Sequence, residues 1–267
     1  MTSVLRKQIF SVLILAAATM FLIPVSARAE SVATIEQVQG EVSVHSVNAA
    51  ADLWTPIAQN TSLNNGDSVK TKNGSCVLVY ADQATFSLDA NTSITVKDQT
   101  DTKDILLDLG KLRAKVNHEK VIKPFQVVTP TAVGAVRGTD VTFDFNDQGQ
   151  LTIQLENGNM LVYNDEAEMK VDLGGKKTII VQYDAEAGIL RIQNDCSSDG
   201  KVVFNVQGTE YAENPCDKKE INLETAAGGN NPPGTPGGDK PETPDTHNDD
   251  NPPPPTSPTT PEEEPTP

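Results

Sequence analysis

The stretch Leu151-Thr152-Ile153-Gln154-Leu155-Glu156-Asn157-Gly158-Asn159-Met160-Leu161-Val162 decides the class of fold. Leu151, Ile153 and Leu155 alternate with Thr152 and Gln154 in strict period two, which in an extended chain puts the aliphatic side chains on one face and the polar ones on the other. Asn157-Gly158 supplies residues that tolerate positive φ, and a second run follows from Asn159 to Val162. The arrangement predicts a β-hairpin closed by Asn-Gly.

Working outward, the same alternation recurs in Glu41-Val42-Ser43-Val44-His45 and in Thr92-Ser93-Ile94-Thr95-Val96. Asn65-Gly66-Asp67 and Asn73-Gly74 read as further hairpin turns. Strands are expected at 68–71, 75–80, 85–88, 105–109, 112–116, 125–129, 141–145, 169–173, 178–183, 189–193 and 201–206. The middle of the chain has almost no helical periodicity. Short strands spaced about 8 to 12 residues apart indicate an all-β fold of many short antiparallel strands, sandwich- or solenoid-like.

Both ends differ from this middle. Arg6 and Lys7, an apolar run from Ile9 to Ile23, and Ala27-Arg28-Ala29 follow the order of a signal peptide cleaved after Ala29. The run is shorter than the roughly 20 residues of a comfortable membrane span. An uncleaved anchor is the alternative, since the run can extend to Val25. Either reading places the bulk of the chain outside the cytoplasm, periplasmic, secreted or at the cell surface. From Ala226 onward Gly, Pro, Asn, Thr, Asp and Glu dominate, the composition of a disordered acidic tail that acts as a solubilising segment, a spacer or a polyproline recognition segment.

The formal net charge is −16, and cleavage would remove Arg6, Lys7 and Arg28 to leave −19. A nucleic-acid partner is not expected, because a phosphate polyanion would be repelled and no basic stripe interleaves with aromatics. Of the three cysteines, Cys196 and Cys216 are expected to pair in an oxidising compartment, closing a loop of about 20 residues that contributes around 3 kcal/mol. Cys76 lies within a predicted strand and reads as a buried, inert thiol.

Little in the chain suggests catalysis. His45, His118 and His247 have no evident nucleophile or metal partner in sequence, and no Ser elbow, P-loop or HExxH motif is present. Asp98, Asp101 and Asp104 recur in a polar stretch, but the glycine and terminal Glu of an EF-hand loop are missing, so a solvated acidic loop is expected rather than a calcium site. No enzyme activity, metal or cofactor is expected.

The most distinctive stretch is Phe125-Gln126-Val127-Val128-Thr129-Pro130-Thr131-Ala132-Val133-Gly134-Ala135-Val136-Arg137-Gly138-Thr139-Asp140. Pro130 suits a strand end, while Gly134 and Gly138 permit a bend or a close backbone approach, so the segment is expected to turn a corner. Arg137 offers a rigid fork of donors there, and Asp140 is near enough in sequence to accept from it or from backbone amides. Arg137, Gly138, Thr139 and Asp140 are the candidate binding residues, either as a structural clamp or as a site that recognises a carboxylate or phosphate on a partner.

This stretch resembles the FecR domain family, whose pattern runs through Thr-Pro and a small residue to Val-Arg-Gly-Thr. Leu63-Asn64-Asn65-Gly66-Asp67-Ser68-Val69-Lys70-Thr71 is similar to the family's Leu, Gly-Asp, aliphatic and Thr spacing, with Gly74-Ser75 following. Leu107-Asp108-Leu109-Gly110-Lys111-Leu112 resembles its later Leu-x-x-Gly element. Glu156 to Val162 and Leu173-Gly174-Gly175 continue the likeness, which covers Ala33 to Val181. Asp82-Gln83-Ala84 departs from it, where such domains usually carry Asp-Gly-Ser.

The expected organisation is a signal peptide at 1–29, a FecR-like β domain at 31–183, a short β extension with the disulfide at 184–225, and the tail at 226–267. Regulators of this family carry a cytoplasmic region that handles a sigma factor. Only about seven residues precede the apolar run here, so anti-sigma activity is not expected of this chain. The resemblance implies an exported protein-binding or envelope-signalling module with an envelope or secreted protein as partner, and with membrane contact only if the N-terminal segment is uncleaved. The alternative is a structural surface or matrix component, a rigid β block on a spacer.

Overall fold

The computed structural model describes residues 31–117, 119–121 and 123–223. The expected signal peptide at 1–29, the tail from 226, His118 and His247 lie outside the described residues. No helix among the described residues is long and apolar enough to cross a membrane.

The described chain is built of strands: β1 (Ser31–Gln39), β2 (Val42–His45), β3 (Thr55–Pro56), β4 (Thr61–Asn64), β5 (Ser68–Thr71), β6 (Ser75–Tyr80), β7 (Thr85–Leu88), β8 (Ser93–Asp98), β9 (Lys103–Lys115), β10 (Phe125–Val128), β11 (Val133–Val136), β12 (Asp140–Phe145), β13 (Gln150–Asn157), β14 (Asn159–Asn164), β15 (Met169–Gly174), β16 (Lys177–Asp184), β17 (Ile189–Asn194), β18 (Val202–Val206), β19 (Thr209–Glu213) and β20 (Lys218–Asn222).

Their ladders form two sheets. The first runs β4-β1-β6-β7-β9-β12-β13-β16-β17-β20. The second runs β3-β2-β5-β8-β9-β10-β11-β14-β15-β18-β19. All pairs are antiparallel except β9 with β10, which run parallel.

Strand β9 belongs to both sheets. Its first half, Lys103 to Leu109, pairs with β8, and Gly110 to Lys115 pairs with β12. Alternation predicts two strands here, at 105–109 and 112–116; there is one, redirected at Gly110, where φ is +97°. A side chain at that position would also place Cβ 2.6 Å from the Asn91 carbonyl oxygen, so both conformation and space require glycine.

The Asn-Gly turns also depart from expectation. Asn65-Gly66 joins β4 of the first sheet to β5 of the second, and Asn73-Gly74 joins β5 back to β6 of the first. Asn157-Gly158 joins β13, which pairs with β12 and β16, to β14, which pairs with β11 and β15. All three are corners between sheets rather than hairpin turns. Period-two alternation tells which face of a strand is buried, but a strand and its successor can satisfy that pattern from opposite sheets as well as side by side. The four-residue turn Ala81-Asp82-Gln83-Ala84 is a true hairpin, joining the paired strands β6 and β7. Gln83 takes φ +63° there, a left-handed conformation that residues with a Cβ rarely adopt.

From β10 onward the growth is regular. The hairpins β10/β11, β12/β13, β14/β15, β16/β17 and β18/β19 fall alternately in the second and first sheets, each beside its predecessor in the same sheet. The inner faces meet in one core. Phe125 of the second sheet lies 5.0 Å from Phe86 and 4.9 Å from Tyr80 of the first. Full burial of each such side chain contributes about 1.5–3 kcal/mol. Gly134 on β11 is a close-approach position, since a Cβ there would lie 2.5 Å from Cε1 of Phe143 on the facing sheet. Cys76 is buried in the same core, and burial pushes its thiol up to about 12. Cys196 and Cys216 form a disulfide that ties the β17–β18 connection to the β19–β20 connection.

Candidate functional site

Strand β11 ends at Val136 in the second sheet and β12 begins at Asp140 in the first, so Arg137-Gly138-Thr139 carries the chain from one sheet to the other. Gly138 adopts φ +69°, which the crossing requires. The corner packs against the one at Asn157-Gly158: a Cβ on Gly158 would lie 2.5 Å from the Gly138 carbonyl oxygen and 3.0 Å from Cγ2 of Thr139. Two corners packed this closely make a stiff platform.

On the second-sheet side, alternation along β11 turns Val136 inward and leaves Arg137 exposed. Arg137 lines a cleft of about 560 Å³ together with Pro124, Ala135, Leu161, Leu173 and Asp172, among others. Ala135 is opposite Leu161, and Leu161 opposite Asp172, in adjacent ladders. Arg137 meets no hydrogen-bond or ion-pair partner among the described residues.

On the first-sheet side, Asp140 does not pair with Arg137, as the sequence reading allowed, but with Arg113. Asp140 lies opposite Lys115 on β9, which places Arg113, two residues away on the same strand face, diagonally across from it. The Arg113 Nε donates to Oδ1 and its second guanidinium nitrogen to Oδ2 of Asp140, both at 2.8 Å. These hydrogen bonds hold the Asp140 carboxyl below its ordinary range, against a smaller opposing effect of burial. A second, polar cleft of about 830 Å³ borders this pair and is lined by Gln83, Lys115, Lys120, Thr139, Asp140 and Asn157, among others. Thr139 is 2% exposed, and its hydroxyl has no hydrogen-bond partner among the described residues.

The corner therefore divides the four sequence candidates. Arg137 borders the apolar cleft, while Gly138, Thr139 and Asp140 border the polar one. Arg113, Leu161 and Asp172 were missed, because they join the site only through ladders between strands distant in sequence. The exposed position of Arg113 between buried Leu112 and Ala114 was the one signal available.

Other candidate groups are engaged elsewhere. The Nε2 of His45 lies 3.0 Å from the Ala50 carbonyl oxygen, and its ring lies 5.5 Å from that of Trp54. Asp98 pairs with Lys123 at 2.7 Å. Among the described residues, no three His, Cys, Asp or Glu side chains are grouped to hold a metal ion.

Against known proteins, the family model described as FecR protein matches residues 67–162. No curated protein matches the chain. Two crystal structures of a candidate anti-sigma factor from Parabacteroides distasonis ATCC 8503, at 2.50 and 1.65 Å resolution, are each 16% identical to it. They align over 55% and 56% of this chain and over 58% and 60% of their own, with TM-scores of 0.37 and 0.38. A likeness at that level leaves the fold and activity of this chain to be read from its own residues. The family match contains the whole stretch from Phe125 to Asp140, and over residues 67–162 the chain is similar to the FecR family.

Proposed function

We propose that this protein is an extracytoplasmic, non-enzymatic binding module that holds a partner protein at the Arg137 cleft. The observation that carries the reading is an exposed arginine, without a carboxylate partner among the described residues, at the rim of an apolar cleft beside two closely packed corners. Small apolar concavities with a few convergent polar groups are where proteins usually bind ligands. The Cys196–Cys216 disulfide suits an oxidising compartment. Export to the periplasm or cell surface, division at residues 183 and 225, and a solubilising role for residues 226–267 remain parts of the same proposal.

Affinity capture from the native envelope tests it. The wild-type chain is expected to retain a saturable protein partner, which Arg137→Ala loses and Arg113→Ala keeps. A catch unchanged by Arg137→Ala removes the cleft from the function. The second reading, a structural component that self-associates, draws on β19 and β20, each of which pairs on one side only among the described strands. Concentration-dependent sedimentation of the purified chain, unaffected by Arg137→Ala, favours that reading.

A further inference from the structure

We infer that the Arg137 cleft takes the free C-terminal carboxylate of a partner polypeptide whose last side chain is aliphatic. This rests on the binding role proposed above and names the chemistry of the partner. Of the three described arginines, Arg113 forks onto Asp140 and Arg191 bonds Glu220 at 2.7 Å, while Arg137 has no carboxylate partner among the described residues. Arg137 thus leaves a guanidinium fork open to a partner's anion beside a mostly apolar surface.

The cleft's layout selects among anions. Ala135, Leu161 and Asp172 form one row across β11, β14 and β15, and Pro124 adds to its apolar part. Arg137 follows Ala135 by two residues, at the start of the corner and within about 7 Å of it along the chain. On that same side Asn159 lies opposite Gly174, and its amide occupies the space over that glycine, since a Cβ on Gly174 would lie 2.7 Å from the Asn159 Oδ1. A terminal aliphatic residue carries its carboxylate and its apolar side chain on one Cα. The side chain can rest on Ala135 and Leu161 while the carboxylate accepts two hydrogen bonds from the guanidinium fork. Asp172, at the far side of the row, repels a second carboxylate and accepts from a backbone amide or a basic side chain upstream. An acidic run is therefore disfavoured, and a single chain-end carboxylate beside an apolar group is preferred. The volume of about 560 Å³ suits a few residues.

Three N-terminally labelled peptides titrated against the full chain by fluorescence polarisation test this: Gly-Ser-Lys-Ala-Leu as the free acid, the same peptide as its C-terminal amide, and Gly-Ser-Lys-Ala-Glu as its amide. The free acid is expected to saturate, with both amides weaker by about tenfold or more. Arg137→Gln should abolish the difference between acid and amide, and Leu161→Asp should weaken both forms. Because Arg137 is exposed and has no partner among the described residues, its replacement does not put folding at stake. Equal binding of acid and amide, equal binding of the Glu amide, discrimination that persists in Arg137→Gln, or no binding at all overturns the inference. If envelope capture remains sensitive to Arg137→Ala while the peptides show no carboxylate preference, the binding role stands and only this inference fails. If capture ignores Arg137, both fail.

Discussion

Cys76 illustrates how a residue's chemistry follows from its address. It sits on the inner face of β6 opposite Leu88, and burial holds its thiol near 12, so almost no thiolate exists at pH 8. Native protein treated with a thiol reagent at pH 8 should label slowly or not at all, and one equivalent should react once denaturant opens the core; rapid native labelling would mean that β6 is not buried. The Asp140–Arg113 pair gives a pH dependence of definite sign. The native Asp140 pKa is lowered, so its stabilisation is present above the unfolded carboxyl value of about 3.9 and is lost as pH falls through the native value. The pair is largely solvent-screened, so Arg113→Ala should cost about 0.5–1 kcal/mol at pH 7 by denaturant melts, and the gap to wild type should close in acid. A gap that widens in acid would contradict the assignment. That Arg137 and Asp140 belong to one corner was legible in sequence. That Arg113 rather than Arg137 holds Asp140 was not, because β9 and β12 are neighbours only through the sheet.

At the scale of elements, the sequence located most strands to within a residue or two, since alternation is a local property: β5, β6 and β7 fall where expected. It gave no access to which strands are neighbours. The Asn-Gly corners at 65–66, 73–74 and 157–158 have the composition of hairpins, yet they deliver successive strands to opposite sheets. The short strands β3 and β4 and the edge strands β19 and β20 carried no distinguishing alternation. Between facing elements, Gly134 is the contact most sensitive to volume. Gly134→Val should cost about 1–3 kcal/mol through collision with Phe143, and part of that loss should return in the double variant with Phe143→Leu. Additive losses in a double-mutant cycle would show that the two residues do not meet.

For the molecule as a whole, alternate addition of hairpins to two facing sheets makes a body that lengthens by repetition, with each hairpin steadied mainly by the one before it. Such an arrangement is weakest at its last additions, β18 to β20, where the Cys196–Cys216 disulfide ties two connections together. Replacing both cysteines by serine should lower stability by about 2–4 kcal/mol, and hydrogen exchange should quicken first in β17 to β20 and leave β10 to β13 protected. Uniform loss of protection would point to a single cooperative unit. The functional account places partner recognition on the flank of this body, at the cleft beside Arg137, and not at the open strand edges. The most direct measurement is site-specific photocrosslinking in the native envelope, with benzoylphenylalanine in place of Leu161 in the cleft or of Glu210 on β19. The account predicts a discrete adduct from position 161 that Arg137→Ala abolishes; an adduct from position 210 alone, indifferent to Arg137, would contradict it.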